Sequence, residues 1–256
     1  MKLNARVHGK GQPLIVMHGL FGMSDNWNTL GKQWADELHR SVHLLDMRNH
    51  GRSDWDSPHT YHAMSEDIAQ YIKENGMEKA AILGHSMGGK AAMFFATLNP
   101  DKVDKLLIAD IAPKHYPVHH QDIIDALDYV RQSKPESRNR AQELLGEKIN
   151  NDGIAFFLLK SLHRRKDGIY DWRFNFEQIK KDIDKVGEAL PPPAIYEGPT
   201  LFLRGNKSNY ITDEDVPYLD EHFPDVQLAT IDGAGHWLHA EKPKVFSENV
   251  ENFLRQ

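Results

Sequence analysis

Apolar positions along the chain fall into short unbroken runs separated by longer stretches of helical period. Pro13-Leu14-Ile15-Val16-Met17-His18 runs apolar until Gly19 stops it. Runs of the same kind are Ser41 to Asp46, Ala80 to Gly84, Lys105 to Asp110, Thr200 to Arg204 and Val226 to Ile231. Apolar on both faces, they predict strands of a parallel sheet covered on each side by helices. Leu3 to Val7 is weaker and predicts an antiparallel edge strand. Between the runs, Trp34 to His39, Ser65 to Asn75 and Lys90 to Leu98 read as helices. Pro243 to Leu254 lines Val245, Phe246, Asn249, Val250, Phe253 and Leu254 along one side of a last helix. The alternation predicts an α/β fold with a mostly parallel central sheet flanked by helices.

The alternation breaks between about Pro113 and Gly198. Helical patterns replace it: Ile123, Ile124, Leu127 and Val130, then Leu144, Leu145 and Ile149, then Ile154, Phe157, Leu158 and Leu162. Pro191-Pro192-Pro193 closes the stretch with a stiff, extended return. Runs of the same strand type precede and follow it. The reading is therefore one core, residues 1–112 and 199–256, carrying an inserted helical cap at residues 113–198.

Composition narrows the function classes. The 256 residues are 40% apolar and 27% charged, which suits a globular chain and excludes a disordered or fibrous one. Lys and Arg number 31 against 37 Asp and Glu, a net charge of −6, so no nucleic-acid partner is expected. With no cysteine there is no disulfide, thiolate metal site or thiol nucleophile. The polar start and the lack of a long apolar run predict no signal peptide and no membrane span, hence a cytoplasmic location.

The strongest chemical signal is Gly84-His85-Ser86-Met87-Gly88, set between an apolar strand and a helix. A strand-to-helix turn this sharp strains the serine backbone and lifts its hydroxyl above the sheet, and the flanking glycines keep side chains out of the turn. A serine hydroxyl needs a base, and the base needs a carboxylate to orient it. His236 follows the last strand run in Asp232-Gly233-Ala234-Gly235-His236 and is the expected base. His239 is expected only to lead into the last helix, and His18 to brace a loop. His8, His39, His43, His59, His62 and His222 read as surface or packing residues. His115, His119 and His120 suggest a metal site, but no acidic partner completes a ligand motif, so no metal or cofactor is expected.

The acid is read as Asp110, which ends the strand after the nucleophile helix and so lies on the same rim as Ser86. Asp213 and Asp215 are the alternatives. An oxyanion hole needs two backbone donors, each worth on the order of 10²–10³ in rate. The Met87 amide, at a helix N-terminus, is one, and the Leu20 amide in His18-Gly19-Leu20-Phe21-Gly22 is the other.

With these motifs, and with Asp46-Met47-Arg48-Asn49-His50-Gly51-Arg52-Ser53, the chain resembles the α/β-hydrolase superfamily over nearly its full length. Gly88-Gly89-Lys90-Ala91, Asp110-Ile111-Ala112-Pro113 and Ser208-Asn209-Tyr210-Ile211 resemble the bacterial YbfF-type esterases more narrowly. That resemblance implies an acid in the Asp110 position, and a serine esterase or thioesterase acting on short- to medium-chain acyl esters and acyl-CoA. Phe156, Phe157, Leu159, Trp172 and Phe174 are expected to line the acyl site. His163-Arg164-Arg165-Lys166 is a candidate contact for CoA phosphates, because arginine suits phosphate. Hydrolysis of C–C bonds or lactones, perhydrolysis and ligand binding without turnover stay open as alternatives. Serine at the turn argues against dehalogenase and epoxide hydrolase chemistry, which uses aspartate there.

Overall fold

The computed structural model describes residues 1–118 and 120–256. A seven-stranded sheet runs through it in the order β1-β3-β2-β4-β5-β8-β9. The strands are β1 (Ala5–His8), β2 (Pro13–Met17), β3 (Ser41–Leu45), β4 (Ala80–His85), β5 (Val103–Ala109), β8 (Thr200–Gly205) and β9 (Val226–Ile231). β1 pairs antiparallel with β3, and every other pairing in this sheet is parallel. Each expected strand run forms a strand.

Alternate residues of one strand enter different cores, as the two-residue period of a strand requires. On β2, Leu14 and Val16 join the core under α1 (Asn28–Leu38) and α11 (Pro243–Arg255). Ile15 and Met17 join the core under α2 (Tyr61–Glu74) and α3 (Met87–Leu98). The last helix differs from its expected face: Phe246, Val250, Phe253 and Leu254 point inward, while Val245 is exposed. Phe246 seats against Trp27 and Trp34, and this contact fixes the helix rotation.

Residues between β5 and β8 hold α4 (Gln121–Gln132), α5 (Arg138–Gly146), α6 (Asp152–Leu159), α7 (Phe176–Lys181) and α8 (Ile183–Val186). A hairpin of β6 (Leu162–Arg164) and β7 (Tyr170–Trp172) interrupts them. Leu162 was expected to continue a helix, yet it pairs with Trp172 in this hairpin. The signal was Asp167-Gly168, a turn pair whose glycine sits at φ 89°. After β8 come α9 (Val216–His222) and, past β9, the short α10 (Leu238–Glu241). No helix among the described residues is long and apolar enough to cross a membrane.

Two buried polar features matter for stability. Arg48 and Asp67 form an ion pair of 2.6 Å with almost no solvent exposure at either side chain. Removing one partner of such a pair strands the other, so Asp67→Asn should lower the unfolding free energy by about 3–5 kcal/mol. Urea denaturation measures that loss, and a wild-type midpoint would refute it.

His18, His50, His59, His85 and His239 are buried at the sheet's C-terminal rim, and burial lowers the pKa of each. His59 and His239 are pushed to about 3. The unfolded chain protonates these rings near the ordinary 6.5, so it binds more protons than the fold between the two values. The contribution of His59 and His239 is complete above pH ~6.5 and falls by about 1.4 kcal/mol per pH unit per ring as pH drops toward about 3, and His18, His50 and His85 act in the same direction. The midpoint of urea unfolding should therefore fall clearly between pH ~7.5 and pH ~5. A flat midpoint would mean that the rings are charged in the fold.

Candidate active site

Ser86 lies between β4 and α3 at φ 53° and ψ −117°, a strained conformation for a residue with a side chain. Its neighbours explain the glycines. A Cβ on Gly84 would meet the Gly88 carbonyl oxygen at 2.2 Å, and one on Gly88 would meet the Met17 carbonyl oxygen at 2.6 Å. Both obstacles are backbone and cannot yield cheaply. The amides of Leu20 and Met87 meet no protein acceptor among the described residues, whereas the neighbouring Phe21 amide donates to His50 Nε2 at 3.1 Å. His50 thus turns the loop after β2 so that Phe21 faces inward at φ 63°. His18 braces the same loop: its Nδ1 donates to the Gly19 carbonyl and its Nε2 accepts from the Met47 amide.

Asp110 follows β5 at φ 52° and has no solvent exposure. Oδ1 accepts from the Gly205 amide at 3.2 Å, and Oδ2 accepts from the Ser208 hydroxyl and from His236 Nδ1 at 2.8 Å. Donation from Nδ1 leaves His236 Nε2 with the free lone pair that a general base requires. Tyr210 stacks on the His236 ring at 4.0 Å, and the His236 carbonyl accepts from His85 Nε2 at 2.8 Å. Asp213 pairs instead with Arg204, and Asp215 with Lys114 and the Thr212 cap, so neither meets His236.

Ser86 and His236 line one cavity of about 290 Å³ together with Leu20, Phe21, Phe157 and Trp237. Among the described residues no hydrogen bond joins Ser86 Oγ to His236, whose Nδ1 and carbonyl are taken by Asp110 and His85. Helix α6 presents Ile154, Phe157 and Leu158 to the cavity, one face at helical spacing.

That spacing corrects most of the expected lining. Phe157 lies in the cavity wall, but Phe156 is 66% exposed beneath the Lys160 ammonium, and Leu159 is packed into the core. The Trp172 indole donates to the Leu127 carbonyl and stacks on Phe174, which packs against Phe21. Those two rings join cap to core rather than face the serine. The His163–Lys166 run lies at the hairpin, where Arg165 pairs with Asp167 and Asp171 and no member of the run lines this cavity. His119 lies outside the described residues, and no group of three metal-ligating side chains is gathered among the described ones. His239 does more than lead into a helix: it stacks on Trp27 at 4.2 Å and abuts His85.

Ser208, Tyr210 and His85 stood in the sequence only inside motifs, with no role of their own, and Trp237 only as the neighbour of His236. Their roles arise from loops converging at one rim.

The chain is similar to known proteins over most of its length. A family model described as the alpha/beta hydrolase fold matches residues 12–243. The chain is 35% identical to the esterase YbfF of Escherichia coli, covering 99% of each. It is 36% identical to the sn-1-specific diacylglycerol lipase ABHD11 of Mus musculus over 94% of this chain and 80% of the relative. Among solved structures, a marine microorganism esterase superposes with a TM-score of 0.95 at 42% identity, covering 98% of this chain and 99% of the other. The chain belongs to the α/β-hydrolase fold family, within the esterase and lipase group that these relatives represent.

Proposed function

We propose that the chain is a serine esterase that hydrolyses carboxylic esters of short to medium acyl length, with acyl thioesters such as acyl-CoA as chemically equivalent substrates. The observation that carries this reading is the Asp110–His236 pair at 2.8 Å, held beside a strained serine in an apolar cavity. Ser86 Oγ attacks the ester carbonyl while His236 Nε2 takes its proton. Asp110 holds the ring in the required tautomer and stabilises the imidazolium. The Leu20 and Met87 amides receive the oxyanion. His236 returns its proton to the leaving alcohol, then activates a water that frees the acyl group from Ser86. Every step uses atoms of the chain, the substrate and water.

Ser208 supports this arrangement from behind. It donates to the same carboxylate oxygen that His236 uses, so Asp110 is oriented by two donors besides the imidazole. The related esterases and lipases support the ester as the scissile group.

Steady-state hydrolysis of p-nitrophenyl esters tests the reading. Ser86→Ala should abolish turnover, and Asp110→Asn should lower kcat by roughly 10³–10⁴. Ser208→Ala removes one hydrogen bond to a charged group and should cost roughly ten- to a hundredfold in kcat. Full activity in Asp110→Asn would exclude it as the acid, and ester turnover surviving in Ser86→Ala would exclude the mechanism.

A further inference from the structure

Ser86 lies at a neck between two spaces of unequal size. On one side is the cavity of about 290 Å³ described above, which includes His236. On the other is a chamber of about 20 Å³ walled by Tyr61, Met87, Ile111, Tyr116 and Val186. Leu20, Ser86, His120 and Tyr210 border both, whereas His236 borders only the larger. On a scale where one water-sized sphere needs roughly 10–15 Å³, the chamber admits one or two carbon atoms.

The chemistry assigns the two sides. When the tetrahedral intermediate collapses, the bond from carbonyl carbon to alkoxide oxygen breaks. That oxygen takes the proton His236 removed from Ser86, so the alcohol must depart on the side His236 borders. The acyl substituent then points the other way. Resting on the esterase reading above, we infer that the small chamber receives the acyl group and the large apolar cavity the alcohol, so that the substrates are acetyl or propionyl esters of larger apolar alcohols.

The chamber is small because its walls are fastened. Lys90, one turn along α3 from Ser86, is fully buried, and its Nζ donates to the carbonyls of Lys114 at 2.6 Å and Glu188 at 2.5 Å. The Tyr116 ring lies beneath that ammonium at 5.2 Å. The Tyr116 amide bonds the Gly187 carbonyl at 2.8 Å, and the Tyr61 hydroxyl bonds the Val186 carbonyl at 2.6 Å. The segments by which the cap leaves and rejoins the sheet are thus joined to each other and to the nucleophile's own helix. Lys90 is a positioning residue that fixes the chamber's size. Burial pulls its ammonium down to about 7, yet the neutral amine keeps the two N–H groups this fastening uses.

The test uses two isomeric esters, hexyl acetate and ethyl hexanoate, which share size and composition but exchange the long and short arms. Hexyl acetate should show at least a roughly tenfold higher kcat/KM, the scale on which shape discriminates apolar groups. Val186→Ala should narrow that ratio by admitting the hexanoyl arm, and so should Lys90→Met, with Lys90→Arg less affected. Equal or reversed preference in the native enzyme overturns the assignment while leaving the esterase intact. An unchanged ratio in folded Val186→Ala overturns it as well. Failure to hydrolyse either isomer or p-nitrophenyl acetate overturns the esterase reading, and this inference with it.

Discussion

A carboxylate with no access to water joins three groups that lie roughly a hundred residues or more from it along the chain. Asp110 leaves the end of β5, accepts from the amide that ends β8, accepts from Ser208 in the next loop, and receives the imidazole carried past β9. A buried carboxylate without such donors would be costly, so its partners must stay in place while the fold holds. Three adjacent parallel strands deliver their C-terminal ends to one rim, and this alone brings the groups within hydrogen-bond reach. Ser86 enters from the neighbouring β4 by the same logic.

Around that hub lies a layer of neutral histidines. His18 and His50 each accept a backbone amide in or beside the loop that presents Leu20, while His85 donates to the His236 backbone. Burial holds these rings neutral, and neutrality lets one nitrogen accept while the other donates. A charged ring would have two donors and could not accept the amide. His18, His50 and His85 thus brace loops at this rim, with His236 the ring placed against the carboxylate.

The cap is attached through polar contacts as well as apolar packing. Lys90 meets two carbonyls of the cap's first and last segments, and Tyr116 hydrogen-bonds the Ala112 amide and the Tyr210 carbonyl. Tyr210 then stacks on His236. Cap position and imidazole position are thus linked through a short run of direct contacts, all bordering the spaces beside Ser86.

The sequence alone determined the strands, the strand–turn–helix around Ser86, and the glycine loop ahead of His236. These depend on local period and on backbone conformations that only certain residues tolerate. Asp110 was legible because it ends an apolar run, although Asp213 and Asp215 were separated from it only by where their side chains pair. The hairpin at Leu162 escaped because three-residue strands carry too little period to outweigh a helical pattern. The expected cap lining was mostly displaced, since Phe156 and Phe157 are equally apolar and only the rotation of α6 decides which faces the serine. Ser208, Tyr210 and Lys90 belong to the same category. Their partners lie 98, 26 and up to 98 residues away along the chain. Contacts over such distances have no sequence period, so the tertiary structure decided them.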